Sequence, residues 1–358
     1  MFHRMRRYSV PLAIAAAAVA TVVGAGLVSA DGSPDLPERT AAELLAELQD
    51  SDVPGLSGTV VAHTDLGIPA IATADDLLAP GSRTVRMWYA APDRVRLALL
   101  DQLGETDVIR NGADVWQWDS RQNHATHFTM SGEIADLPLW PPSRFTATSP
   151  MEAAEQALAR IEPGTDVSTD GTAEVAGRSA YELVLEPKEE TSLVSQVRLA
   201  VDAETGVPLR TRVLAVGVAE PAFEVAFSRV EFDVPDQENF TFNPPAGVDI
   251  VEGTDEADRL FDSGRGERDT DPMLVGEGWT TVAVTDFDID RLTAELTAQS
   301  GEQIDPVTIL DGFDPVEGAW GAGHLMTGAL VSLLVTDDGR LLIGAVTDQR
   351  LFDVAADV

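Results

Sequence analysis

The stretch TVRMWYAAPDRVRLALL (84–100) decides the fold class of this chain. Apolar and polar side chains alternate in both of its halves, and a Pro-Asp pair between the halves is a turn signal. In a strand, this alternation sends Val85, Met87 and Tyr89 to one face and Arg86 to the other. The stretch therefore predicts an antiparallel hairpin with one apolar face.

The same alternation recurs over much of the chain. Capping boxes at 40–43 and 149–152 predict two short amphipathic helices beside the strands. Helices and strands do not alternate regularly, so the predicted fold class is α+β, a large curved antiparallel sheet with helices on one face. The predicted strands are 58–63, 84–90, 94–100, 106–110, 115–119, 125–130, 172–175, 180–186, 196–202, 208–216, 222–232 and 240–242.

Four segments are predicted along the chain. Three arginines precede an apolar run that ends in Val28-Ser29-Ala30, a pattern typical of a secretion signal or a membrane anchor. The predicted segments are 1–30, signal peptide or membrane anchor; 31–250, the large sheet domain; 251–277, an acidic linker; and 278–358, a small C-terminal α+β domain. The last is predicted to contain a strand at 280–284, a helix at 289–298 and a hairpin of strands 330–335 and 341–346. The body of the protein is expected outside the cytoplasm, either secreted or anchored to the cytoplasmic membrane.

Composition excludes several classes of function. The chain carries 60 Asp and Glu against 24 Lys and Arg, a formal net charge of -36, which makes nucleic acid an implausible partner. It contains no cysteine, so thiolate metal sites, iron-sulfur clusters, disulfides and a lipoprotein lipobox are excluded. No cofactor is indicated by the sequence.

The usual catalytic patterns are also missing from the sequence. There is no Walker A loop, no Ser-x-x-Lys and no Gly-x-Ser-x-Gly. His124 and His127 are expected on opposite faces of a strand, where they do not share a metal ion. Asp288 is explained as a helix N-cap, and the glycine-rich run 318–323 as a loop. We therefore predict a protein that is not an enzyme and has no catalytic or metal-binding residues.

The apolar face of the sheet is the predicted site. A sheet of about ten strands offers more apolar surface than two short helices cover, which predicts a cleft for an elongated apolar ligand. The alternative is that this face buries the helices as an ordinary core. The candidate ligand-contacting residues, with the two tryptophans placed at the rim, are Val85, Met87, Tyr89, Val95, Leu97, Leu99, Trp116, Trp140, Leu209, Val213, Phe223, Val225 and Phe227.

Two further stretches carry a family resemblance. VAGRSAYELVL (175–185) followed by VDAETGVPLR (201–210), within a helix-strands-helix-strands order, resembles the LolA-like lipoprotein-carrier superfamily over roughly residues 38 to 250. The second domain after a linker is similar to the two-domain, RseB-like envelope proteins. The resemblance implies a half-barrel sheet with helices in its concave face, a hollow for acyl chains and no catalytic residues.

Two functions are therefore expected. The first is an extracytoplasmic binding protein that holds an acyl chain or a lipoprotein in a hydrophobic hollow, as a carrier or a sensor. The alternative is a sigma-factor regulator that binds a membrane anti-sigma factor, with a hollow that is only structural. An envelope hydrolase is a third and weaker alternative.

Overall fold

A computed structural model of the chain gives its fold. The structure describes residues 34–50, 53–67, 80–100, 104–130, 149–151, 164–253, 272–289 and 312–358, and between these ranges Ala154, Leu158, Arg291, Thr293, Ala294, Thr297 and Leu310. The predicted signal or anchor segment and residues 254–271 of the predicted linker lie outside the described residues. No helix in the described ranges is long and apolar enough to cross a bilayer.

A twelve-stranded sheet forms the larger part of the molecule. Its strands lie in the order β12-β6-β5-β4-β3-β2-β1-β11-β10-β9-β8-β7, and every neighbouring pair is antiparallel except β12 with β6. The strands are β1 Gly55–Thr64, β2 Gly81–Ala90, β3 Arg94–Leu100, β4 Glu105–Asn111, β5 Asp114–Asp119, β6 His124–Thr129, β7 Thr165–Val175, β8 Arg178–Pro187, β9 Val194–Asp202, β10 Pro208–Ala215, β11 Pro221–Glu231 and β12 Asp249–Glu252. β7 comes close to β11 although three strands separate them, so this half of the sheet is strongly curled.

The sheet remains open, because its outermost strands are β12 and β7 and these do not pair with each other. A large curved antiparallel sheet with few helices is the α+β architecture predicted from the sequence, and it is consistent with a half-barrel. The hairpin predicted from 84–100 is confirmed, with Met87 paired to Leu97 and Tyr89 to Val95.

Helix α1, Ala41–Asp50, begins at the predicted capping box. The backbone amide of Glu43 donates to Oγ1 of Thr40 (3.3 Å), and Oε2 of Glu43 accepts from the amide of Thr40 (2.8 Å). The helix packs against β7 and β8, and its Leu44 is completely buried. At the second capping box, Oγ1 of Thr211 in β10 donates to the carbonyl of Pro150 (3.0 Å), which holds the start of that helix against the sheet.

A six-stranded sheet follows the large one. Its order is β13-β14-β18-β17-β16-β15, and the C-terminal helix α2, Asp348–Asp357, packs against β17 and β18. The strands are β13 Met273–Val275, β14 Val282–Asp286, β15 Asp314–Gly318, β16 Gly321–Thr327, β17 Ser332–Thr336 and β18 Arg340–Gly344. The amide of Arg291 donates to Oδ1 of Asp288 (3.0 Å), which confirms the predicted N-cap.

The six-stranded sheet has a core of its own beneath α2, and it also contributes to the core of the large sheet. We call the six-stranded sheet with α2 and its connecting loops the second unit. Four of its side chains pack into the same cluster as the buried residues of the large sheet, namely Trp279, Met326, Leu330 and Ala345. Nε1 of the buried Trp279 donates to Oγ1 of Thr165 at the start of β7 (2.8 Å). The β8–β9 loop pairs with residues 345–347, through Leu193 N to Ala345 O and Thr347 N to Thr191 O, both 2.9 Å. The second unit is therefore docked on one end of the large sheet.

Several sequence predictions were wrong in detail. Residues 237–240 form a 3₁₀ helix, where the sequence suggested a closing strand at 240–242. β7 begins at Thr165 rather than at 172, because its first half is polar and shows no alternation. The run 318–323, expected to be a loop, contains the ends of β15 and β16, with Gly318 paired to Gly321 in a tight hairpin. Strand β12 and helix α2 were not predicted.

Candidate functional site

Strand register brings most of the candidate residues onto one face of the large sheet. We call it the inner face, because the buried Leu44 of α1 and the second unit belong to the same core cluster as its side chains. Val85 lies opposite Val60 and Leu99, and Val60 lies opposite Phe227. The candidate residues on the inner face are Val85, Met87, Tyr89, Val95, Leu97, Leu99, Val213, Phe223, Val225 and Phe227, with Leu209 beside a register shift in β10.

The inner face is predominantly apolar across six neighbouring strands, with the buried Thr64 and Thr211 as polar members. It continues from β3 and β2 through β1 and β11 to β10 and β9, where Val213 lies opposite Val197. Leu199 extends it toward Leu183 of β8. This is the surface that the sequence pattern predicted, and its strand-to-strand continuity follows from the antiparallel register.

Most of this face is closed to solvent in the structure. Val225 and Leu209 are 0% exposed, Val85 is 3% and Leu97 is 3%, while Tyr89, Leu99 and Val213 are half-buried at its margins. In the described part of the chain, the cover is provided by α1, by the helix start at Pro150 and by the second unit. Any apolar ligand must therefore take the place of a covering segment.

The two tryptophans proposed for the rim are placed differently. Val115 of β5 points to the inner face, so its neighbour Trp116 lies on the opposite, outer face, paired with Ile109 and His127. There the Trp116 ring stacks on His127, with 4.2 Å between centroids, and lies 4.9 Å from the Phe242 ring. Trp116 therefore does not join the other candidates, and Trp140 lies outside the described residues.

Charged residues line the outer face in paired rows. Glu182, 7% exposed, accepts from Nη1 of Arg198 (2.8 Å) and from Nη2 of Arg210 (2.5 Å). Nε of Arg212 donates to Glu224 (2.8 Å). A shallow cleft of ≈ 480 Å³ runs beside these pairs and is lined by Gln196, Arg198, Arg212, Leu214, Ala219, Glu220, Pro221 and Glu224. Because its arginines are already matched by carboxylates, the cleft offers little attraction for an anionic ligand.

Two buried carboxylates on the outer face have shifted pKa values. Burial raises the pKa of Asp107 to about 7, against the opposing effect of Arg96, whose Nη2 lies 2.5 Å from Oδ2 of Asp107. Burial also acts to raise the pKa of Asp202, but hydrogen bonds from Arg178 and Thr205 outweigh it and hold the pKa below its usual value. Burial therefore explains the raised pKa of Asp107, and the hydrogen bonds and ion pair with Arg178 explain the lowered pKa of Asp202.

The histidines of β6 lie on opposite faces of their strand, as their spacing predicts, since His124 pairs with Asp119 and His127 with Trp116. Each faces a different carboxylate of β12, Asp249 or Glu252. Within the ranges that the structure describes, no group of three or more His, Asp or Glu side chains is placed to hold a metal ion.

Sequence reasoning missed the buried Asp107 and the docking of the second unit. The alternation of β4 contained a signal for the first, because Asp107 shares the outer face with Arg96 of the neighbouring strand. No local pattern indicates the second, since the contact between Trp279 and Thr165 joins residues far apart in the chain.

The chain was compared with known proteins. No protein-family model matches it, and no curated protein matches it. Several solved structures match it. The chain is similar to MucB and to LolA-superfamily proteins. The MucA/MucB complex of Pseudomonas aeruginosa matches with 16% identity and a TM-score of 0.43, covering 88% of this chain and 96% of that one.

Two further solved structures match a smaller part of the chain. A LolA superfamily protein from Nitrosomonas europaea matches with 12% identity and a TM-score of 0.26, covering 57% of this chain and 99% of that one. A putative outer membrane lipoprotein-sorting domain from Vibrio parahaemolyticus matches with 9% identity and a TM-score of 0.22, covering 56% and 95%. These are proteins of the kind that the sequence resembles. Identities and TM-scores this low carry nothing about what this chain binds.

Proposed function

We propose that this protein is an extracytoplasmic binding protein that holds an acyl chain, free or as part of a lipoprotein, against the inner face of its large sheet. The observation that supports the proposal is the predominantly apolar character of that face from β3 to β9, on a curled sheet. A face of this shape suits a long and flexible apolar ligand better than a flat or polar one.

Binding would be driven by removal of the ligand's methylene groups from water. Each buried methylene contributes about 0.8 kcal/mol, so a chain of ten or more gives a large gross gain before the cost of ordering it. The candidate contacts are Val85, Leu97 and Leu99 on one side of β1, and Val213 and Phe223 on the other.

Because the inner face is closed in the structure, ligand entry requires a cover to move. Helix α1 is the described cover with the least stability of its own. It has ten residues, and a helix of that length is marginal in water without packing. Its buried Leu44 and half-buried Leu45 and Leu48 hold it on the core. An acyl chain that replaced these side chains would preserve most of the buried apolar area.

Binding rather than catalysis is the proposed activity. Among the ionisable groups that are buried on the sheet, Asp107, Glu182 and Asp202 are matched by arginines on the outer face. Arg110 of β4 is buried in register with Val95 of the inner face, and its Nε donates to the carbonyl of Gly112 (3.0 Å). The inner face offers apolar side chains to a ligand, and these position and desolvate a ligand but do not transfer protons.

A second candidate is a regulator that binds a membrane anti-sigma factor and uses the hollow only as a core. The near-complete burial of Val85, Leu97 and Val225 favours it, because residues already packed to interior density have no surface left for a ligand.

Mass spectrometry separates the two functions. The full chain is produced with its own N-terminal segment, purified without detergent and extracted with organic solvent. We expect an acyl lipid at roughly one molecule per chain, as a single hollow would hold. An empty protein that takes up no fatty acid from vesicles and binds the extracytoplasmic part of an anti-sigma factor supports the second candidate and contradicts the first.

A further inference from the structure

Strand β12, Asp249–Glu252, is the weakest part of the large sheet. It has four residues, all exposed, and is the sheet's one parallel addition among the described strands. Its described backbone attachments include Asp249 N to Asn123 O (3.1 Å) and Gly253 N to His127 O (2.8 Å). Among the described residues, β12 is the last strand of the large sheet before the six-stranded sheet begins at Met273.

A histidine of β6 faces a carboxylate of β12 at each end of the strand. Nδ1 of His124 lies 3.7 Å from Oδ2 of Asp249, and Nδ1 of His127 lies 2.9 Å from Oε2 of Glu252. Each pair joins residues that are in register in the parallel ladder. Because 124 and 127 are three positions apart, one pair lies on each face of the sheet.

The surroundings of His127 suit the charged imidazolium. Its other nitrogen, Nε2, lies 3.4 Å from Oδ1 of Asp114, so both ring nitrogens face carboxylate oxygens. Only the protonated ring donates from both nitrogens, since the neutral ring carries one N–H and one acceptor lone pair. The ring also stacks on Trp116 at 4.2 Å, an arrangement that favours a cation over the indole face.

We propose that β12 is a pH-dependent latch, fastened to β6 when His124 and His127 are protonated and released when they are neutral. The charged groups that face the two rings are Asp114 and Asp119 from β5, and Asp249 and Glu252 from β12. Arg121 in the β5–β6 turn lies 4.0 Å from Asp119 and so offsets part of that carboxylate's field. Four carboxylates and one arginine thus surround the two rings, so protonation of the rings strengthens each histidine–carboxylate pair.

Small interactions are sufficient to move this strand. Exposed ion pairs change an equilibrium by only about one- to fivefold each, and the carboxylates here are 61% to 83% exposed. A four-residue edge strand without a buried side chain has little else to hold it. Release of β12 lengthens the free connection to the second unit and exposes the edge of β6. The latch does not depend on whether the inner face binds a lipid.

Hydrogen exchange of the full chain tests the latch. Protection factors for the amides of 249–253 are measured at pH 5.5 and pH 8, each corrected for the intrinsic exchange rate at that pH. Ordinary imidazoles titrate between these values, whereas ordinary carboxylates stay ionised at both. Asp107, whose pKa is raised to about 7, is replaced by Asn in every protein compared, so that its own titration does not change the protection. We expect protection to be roughly three- to tenfold lower at pH 8, with the amides of β1 and β11 unchanged.

Two sets of variants test whether the pairs between the histidines and the β12 carboxylates cause the pH dependence of protection. In the double variant His124→Gln and His127→Gln, protection of β12 becomes the same at both pH values, whereas His63→Gln, on β1, keeps the response of the Asp107→Asn parent. If the histidine variant is poorly folded, Asp249→Asn with Glu252→Gln gives the same test with the rings in place. Equal protection at both pH values in the Asp107→Asn parent, or a pH response that persists in both sets of folded variants, overturns the latch.

Discussion

The two faces of the large sheet use opposite means of burial. On the inner face, apolar side chains from six strands merge into one core with α1 and the second unit. On the outer face, buried carboxylates such as Glu182 and Asp202 are each held by arginines. Apolar burial needs no specific partner, whereas each buried carboxylate of the outer face depends on a particular arginine. For this reason the inner face is the proposed ligand surface.

The largest effect should come from truncation on the inner face. Leu199 is completely buried between Leu183 and Thr211, so Leu199→Ala should lower the free energy of unfolding by about 3–5 kcal/mol. Leu214→Ala is the matched control, because this half-buried leucine lies on the outer face of the next strand. We expect it to cost about 1 kcal/mol or less in urea denaturation. Equal losses in the two variants would remove the contrast between the faces.

Loss of one ion-pair partner on the outer face should lower the free energy of unfolding by nearly as much as Leu199→Ala. Asp202, 1% exposed, accepts from Nε and Nη2 of the half-buried Arg178 at 2.7 and 2.9 Å and from Thr205, so Asp202→Ala takes this acceptor away from both donors and leaves Arg178 only Glu204. We expect a loss of about 3 kcal/mol at pH 7. Its pKa is lowered in the folded state, so this contribution is present at neutral pH and is lost as pH falls through the folded pKa. Denaturation curves at pH 7 and pH 2.5 test this, and an equal difference at both pH values would contradict it.

Asp107 should behave in the opposite way. Its pKa is raised to about 7, so the folded state holds a proton that the unfolded state releases near pH 4. The wild type should therefore lose stability relative to Asp107→Asn as pH rises from 4 to 8, by about 1–3 kcal/mol. The check is the difference in unfolding free energy between the two proteins across that range. A difference that stays constant with pH would show that Arg96 keeps the carboxylate ionised throughout.

The smallest expected loss of stability comes from the contact between the two sheets. Thr165→Val removes the acceptor of the Trp279 indole N–H in a buried site, which should cost about 1–2 kcal/mol. Trp279→Phe in the same chain removes the donor as well, so the double variant should lose less stability than the sum of the two single variants, since no polar group is then left unpaired. A double-mutant cycle by thermal denaturation measures this coupling. Additive losses would mean that the bond does not hold the second unit.

The sequence predicted the parts of the fold that local alternation controls. The hairpin at 84–100 and the capping box at Thr40 were confirmed, because each depends on side chains only a few residues apart. β12 was missed, since its four residues form a strand only through β6, far away in the chain.

The candidate site was predictable in part. Period-two alternation placed Val85, Met87 and Tyr89 together on one face. The same rule, applied to β5, puts Trp116 on the other face of the sheet from Val115. Trp116 therefore does not lie at the rim of the hollow, where it was predicted. The burial of the face could not be predicted, because its cover includes the second unit, docked through contacts such as Trp279 with Thr165.

The most direct test of the account is fatty-acid binding by neighbouring leucines of β3. Leu99 and Leu100 are both half-buried, but Leu99 faces inward, opposite Val85, and Leu100 faces outward, opposite Thr84. In a titration with a fluorescent fatty acid, we expect Leu99→Glu to weaken binding about tenfold or more, because it places a charge beside the acyl chain. Leu100→Glu should bind within about twofold of the wild type. Equal binding by the two variants, or no binding by the wild type, would contradict an inner face that holds lipid.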